Sequence, residues 1–134
     1  MRILAIDPGR DKCGLVVAEE GTILARAVVA AADLARVLRR WGVQYRIKEV
    51  VLGNRTGHEV VRTQVTGQLP GIPISIVGEA NTTLLARRWY FADHPPRGWR
   101  RFLPVAMQVP PEPYDDYAAQ VILKRFMENQ DEHD

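Results

Sequence analysis

Residues 1–21 read MRILAIDPGRDKCGLVVAEEG. An apolar run, Ile3 to Ile6, delivers one carboxylate, Asp7, into the turn pair Pro8-Gly9. Arg10, Asp11 and Lys12 follow, then a second apolar run, Leu15 to Ala18. Asp, Pro and Gly are ordinary turn formers, so the bland reading is a tight connection between two strands. Asp is depleted in strands, however, and an acid that closes a core strand beside basic residues suits a metal or phosphate site. Working outward, residues 2–7 read as a buried strand and residues 14–19 (GLVVAE) and 22–29 (TILARAVV) as two more. Glu20-Gly21 between the last two marks a hairpin. The first thirty residues therefore predict a three-stranded antiparallel meander.

The pattern then changes. In residues 31–41 (AADLARVLRRW), Leu34, Val37, Leu38 and Trp41 recur at helical spacing, and Gly42 is expected to stop the helix. Residues 48–52 (KEVVL) predict a short strand ending in the loop GNRTG. A helix over about 58–68 and a strand over 73–77 (PISIV) come next. A third helix is expected from Asn81-Thr82-Thr83 to about Asp93, and a last one over 115–128. Residues 94–113 hold six of the nine prolines and no periodicity, which predicts a long surface loop. The alternation of helix and strand after the meander implies parallel strands. The expected fold is α/β: a mixed five-stranded sheet, antiparallel meander plus parallel strands, flanked by helices.

The 134 residues, 46% of them hydrophobic, suffice for one domain with a real core. We assign it residues 1–128, followed by an acidic tail, 129–134. A single cysteine, Cys13, forms neither an internal disulfide nor a zinc cluster and suits a reducing compartment. No run approaches the ~18 apolar residues of a membrane span, and the start carries no secretion pattern. A cytoplasmic protein with no membrane partner is expected. The net charge is only +2, but the stretch from Glu128 onward, ENQDEHD, carries four acids, leaving 18 bases against 12 acids elsewhere. Arg87, Arg88, Arg97, Arg100 and Arg101 lie close together, interleaved with Trp89, Tyr90, Phe91 and Trp99. A charge cluster is commonly just a solvated face. Aromatic interleaving favours nucleic acid, since bases stack on rings while arginines hold phosphates.

Three acids follow strand ends or open a helix: Asp7, Glu79 just past the fifth strand, and Asp115, with Asp116 beside it. Functional groups in such sheets gather outside the carboxyl ends of parallel strands. Carboxylates brought together there repel one another unless a divalent cation neutralises them, and hard oxygen ligands select Mg²⁺ or Mn²⁺. Such ions can activate water against a phosphodiester. Asp115 could instead be a helix cap, with Asp116 favoured by the helix dipole, and Glu79 a loop acid.

Four motifs carry a resemblance. ILAIDPGRDKCGLVVAE is similar to the opening segment of the YqgF family, whose members are described as Holliday junction resolvases or pre-16S rRNA-processing nucleases. VVLGNRTG resembles its strand-to-glycine loop, IVGEANTTLLA its acidic-Thr-Thr segment, and YDDYAAQVIL its Asp-x-x-Ala-Ala helix. The family has the RNase H-like fold, alongside RuvC resolvases. The resemblance implies a metal-dependent endonuclease acting on branched DNA or structured RNA. Asp7, Glu79 and Asp115 would be its catalytic carboxylates, and Asp116 a further metal-site acid. Asp115 matches the helix acid by its distance from Ala119 and Leu123. Arg10, Lys12, Asn54, Arg55, Arg97, Trp99, Arg100 and Arg101 are the expected nucleic-acid contacts. Symmetric cutting of a junction would require a homodimer. The chain departs from the family pattern at Gly78-Glu79-Ala80, where Asp-Glu-Arg is usual, and at Cys13, near a usual basic position. Two other readings remain open: a catalytically weak nucleic-acid-binding module of the same fold, and an actin-like nucleotide-binding domain. The actin-like reading is disfavoured because such proteins generally close two domains on a nucleotide.

Overall fold

The N-terminal strands form as their apolar runs require. In a computed structural model, β1 (Arg2–Asp7), β2 (Lys12–Glu19) and β3 (Thr22–Ala30) pair antiparallel in sequence order. Glu20 and Gly21 both take positive φ, 49° and 84°, the twist that a two-residue hairpin needs. The structure describes residues 1–54, 57–78, 82–95 and 115–133, without the side chains of 82–84 and 129–133. The remaining strands, β4 (Glu49–Gly53) and β5 (Ile74–Val77), add in parallel on the other side of β1. The sheet order is β3-β2-β1-β4-β5, so the expected mixed five-stranded sheet is the observed one.

Both faces are covered, which is why β1, β2 and β4 are nearly continuous apolar runs. On one face lie α1 (Leu34–Tyr45) and α2 (His58–Gln68). There Leu34, Val37, Leu38, Trp41, Val61 and Val65 bury against Leu4, Ile6, Leu15 and Leu52. On the other face α4 (Asp115–His133) sets Ala119, Ile122, Leu123 and Phe126 against Ile3, Ala5, Val16, Val51 and Val77. Helix α3 (Thr82–Asp93) packs on α4 through Ala86 and Tyr90, which meet Tyr117, Ala118 and Val121. Ile122, fully buried at the centre of the second face, is a site where truncation to Ala costs about 2–5 kcal/mol.

Three expectations are corrected. Gly42 does not stop the first helix, which runs on to Tyr45 and ends at Arg46 in the left-handed region, φ 52°. Gly42 is instead a contact point, since a Cβ there would collide with the Leu69 side chain beyond α2. The helix also starts later than residue 31, because Ala31–Asp33 form a 3₁₀ turn. The last helix continues through Glu128 to His133, so the acidic stretch is helical rather than a separate tail. The proline-rich residues 96–113 lie outside the described residues.

Candidate metal and nucleic-acid site

Side chains alternate along a strand, so Asp7 lies in the row of Ile3 and Ala5, on the face that α4 covers. It is the last residue of β1 and only 3% exposed. The parallel register sets Ile6 against Leu52, and Gly53 against Val77. The ends of β1, β4 and β5 therefore come level at one edge of the sheet. The amide of Asn54 donates to the Val77 carbonyl at 3.1 Å, continuing the β4–β5 ladder to this edge. Glu79 falls two residues beyond Val77, outside the described residues.

Asp115 arrives from the helix side. Across the sheet Asp7 pairs with Gly14. A Cβ on Gly14 would fall onto the Asp115 carbonyl and sit 2.6 Å from the Asp116 amide nitrogen. The first turn of α4 thus lies directly on the residue beside Asp7, an approach that only glycine permits. Burial raises the pKa of the Cys13 thiol, and the negative charges of Asp7 and Asp115 raise it further. Cys13, 1% exposed and packed on the opposite face, therefore stays a neutral thiol beside two carboxylates.

Asp116 turns elsewhere. It is 8% exposed, and its Oδ2 lies 3.5 Å from Nη1 of Arg26 on β3. Arg26 also donates from Nη2 to the Gln120 Oε1 at 2.6 Å and stands over the Tyr117 ring at 4.4 Å. The Tyr117 hydroxyl donates to Asp93 Oδ2 at 2.9 Å, which ties the end of α3 to the start of α4. Its pKa is pushed up to about 12, first by burial and then by this hydrogen bond, against the lowering pull of Arg26. Arg125 donates to the Gly78 carbonyl at 2.9 Å, so α4 also holds the chain just before Glu79.

Of the expected nucleic-acid contacts, Arg10 is exposed in the β1–β2 turn that follows Asp7, Lys12 is exposed at the start of β2, and Asn54 is exposed just after β4. Gly9 permits that turn, because a Cβ there would strike the Lys12 carbonyl. Arg55, Arg97, Trp99, Arg100 and Arg101 lie outside the described residues. Among the described residues no group of three His, Cys, Asp or Glu could hold a metal ion. Asp7 and Asp115 both carry oxygen donors with negative charge, the chemistry that suits a hard divalent cation. The Arg26, Gln120 and Gly14 roles escaped the sequence reading. A lone charge in TILARAVVA and the pairing of Asp7 with Gly14 are the signals that could have shown them.

The fold is the RuvC-like RNase H fold. Two solved structures of RuvC from Thermus thermophilus share it. One, in complex with Holliday junction substrate, has a TM-score of 0.55 at 18% identity over 91% of this chain and 90% of that one. The other has a TM-score of 0.53 at 15% identity over 97% and 96%. No family model matches the sequence. A protein of Dictyoglomus thermophilum named "Putative pre-16S rRNA nuclease" is 28% identical over 96% of each chain. This similarity extends over the stretch that holds the four motifs resembling the YqgF family. No helix among the described residues is long and apolar enough to cross a membrane.

Proposed function

We propose that this protein is a divalent-metal-dependent endonuclease that cuts phosphodiester bonds in structured nucleic acid, either branched DNA or a precursor of 16S rRNA. The observation that carries the reading is the seating of α4's first turn on Gly14, which brings Asp115 to the buried Asp7 at the carboxyl end of β1. Asp7 and Asp115 would hold Mg²⁺ or Mn²⁺, with Glu79 as the third carboxylate. The cation would supply activation of water and stabilisation of the leaving oxygen. Asp116, paired with Arg26, supports Asp115 rather than replacing it. Arg10, Lys12 and Asn54, exposed near the ends of β1 and β4, would bind the phosphates on either side of the cut. Arg55, Arg97, Arg100, Arg101 and Trp99 would extend that grip, arginines on phosphate and Trp99 on a base. Cutting a four-way junction symmetrically calls for a homodimer. The lone, buried Cys13 suits the reducing cytoplasm.

The test is a panel of a four-way DNA junction, a precursor 16S rRNA fragment and a linear duplex, each with Mg²⁺, Mn²⁺ or EDTA. The parent is expected to cleave a structured substrate only with metal. Asp7→Asn is expected to bind and not cleave. A parent that binds these substrates and leaves all of them intact with either metal would refute nuclease function in favour of a binding module.

A further inference from the structure

Helix α4 delivers Asp115 from its first residue, where intrahelical hydrogen bonding is weakest. Something outside the helix must fix that turn if Asp115 is to meet Asp7. The only charged side chain in β3 is Arg26, in a strand that otherwise reads Thr-Ile-Leu-Ala and Ala-Val-Val-Ala. Its cross-strand partner is Val16, whose side chain packs under α4, so Arg26 is on the α4 face. A charge set against that apolar layer is costly unless it is paired and hydrogen-bonded. Arg26 meets three residues of one helical stretch: Asp116, Tyr117 and Gln120. A guanidinium can ion-pair, donate and stack at once, which Lys cannot.

We infer that Arg26 is the positioning residue of the site: its grip on Asp116, Tyr117 and Gln120 sets the first turn of α4 and with it the aim of Asp115 at Asp7. This rests on the reading of Asp115 as a metal ligand. Arg26 touches neither metal nor substrate and acts through α4. By holding Asp116 to β3, it also keeps a second carboxylate from competing for the cation. The Tyr117–Asp93 hydrogen bond adds the end of α3 to the same cluster.

The full chain tests this with Arg26→Met/Asp116→Asn, which removes the ion pair without stranding a charge, and with Arg26→Lys and Gln120→Met. Hydrogen exchange of the amides of 117–121 reads the turn, and calorimetric titration with Mn²⁺ reads the site. The double variant should exchange faster in 117–121 with β1 and β4 still protected, and its Mn²⁺ affinity should fall ~10–100-fold, the usual cost of losing a partner that orients a ligand. Arg26→Lys and Gln120→Met should fall between it and the parent. Should the double variant fail to fold, those two decide the matter. Parental exchange in 117–121 together with Mn²⁺ affinity within about twofold of the parent overturns the inference. If the parent itself takes up no Mn²⁺, the ligand reading of Asp115 fails, and exchange in 117–121 alone decides whether Arg26 clamps the turn.

Discussion

Gly14→Ala is the substitution through which packing and function are most tightly linked. Its methyl would fall on the Asp115 carbonyl and stand 2.6 Å from the Asp116 nitrogen, where 3.4 Å is ordinary contact. That nitrogen alone must retreat by about 0.8 Å, and the struck atoms are backbone, with no rotamer to absorb the shift. The first turn of α4 must therefore lift off β2 and carry Asp115 away from Asp7. Overpacking of this kind costs ~1–3 kcal/mol. For a chain of this size that is a Tm lower by roughly 4–12 °C. The functional loss should be larger, since displacing a reacting group by ~1 Å can cost ~100-fold. Thermal melts in EDTA and Mn²⁺ titration well below the Tm separate the two effects. Gly67→Ala in α2 is the control, because nothing lies within 4 Å of its added methyl. There the helix should gain ~0.5–1 kcal/mol, and the site should not change. A Gly14→Ala protein that melts with the parent and binds Mn²⁺ equally would refute the close approach of α4 to β2, and with it the route by which Asp115 reaches Asp7.

Three further outcomes are expected. Asp115→Asn should be inactive at every metal concentration, whereas Asp116→Asn should lose activity partly and regain some with added Mn²⁺; the reverse order, read in a cleavage assay, would mean that the helix presents Asp116 to the metal. Replacing Arg97, Arg100 and Arg101 by Ala should weaken binding to all sequences alike and flatten the slope of log affinity against log salt by up to ~0.9 per lost duplex-phosphate contact; an unchanged slope would remove those arginines from the interface. Tyr117 holds its proton more tightly folded than unfolded, with a pKa of about 12 against 10.0, so rising pH across that window favours the unfolded chain. Denaturant midpoints measured across that window should therefore fall more steeply for the parent than for Tyr117→Phe, and parallel curves would contradict the buried Tyr117–Asp93 hydrogen bond.

Much of the fold was legible because local signals agreed with the global one. The apolar runs of β1, β2 and β4, the Glu20-Gly21 hairpin and the spacing of Leu34, Val37, Leu38 and Trp41 each point one way. Gly42 misled because its small size serves the crossing of α1 over Leu69, a tertiary contact that no local rule contains. Residues 129–133 misled because acidity without apolar periodicity reads as tail, although the helix simply continues outward. In the site, Asp7 announced itself as an acid at the end of a core strand. A preference for Asp115 over Asp116 was legible only through the resemblance, by its distance from Ala119 and Leu123. What holds Asp116 aside was not, because Arg26 precedes its partner Gln120 by 94 residues and nothing in either stretch names the other.

Asp7 and Asp115, brought together at the end of β1, would hold a divalent cation. Anomalous diffraction from crystals of the full chain soaked in Mn²⁺ tests it most directly, with Asp7→Asn crystals soaked alongside. A manganese peak in contact with both carboxylates is expected in the parent, and none in Asp7→Asn. A peak held by Asp116 without Asp115, or a parent site empty at saturating Mn²⁺ in a lattice that leaves it open, would contradict it.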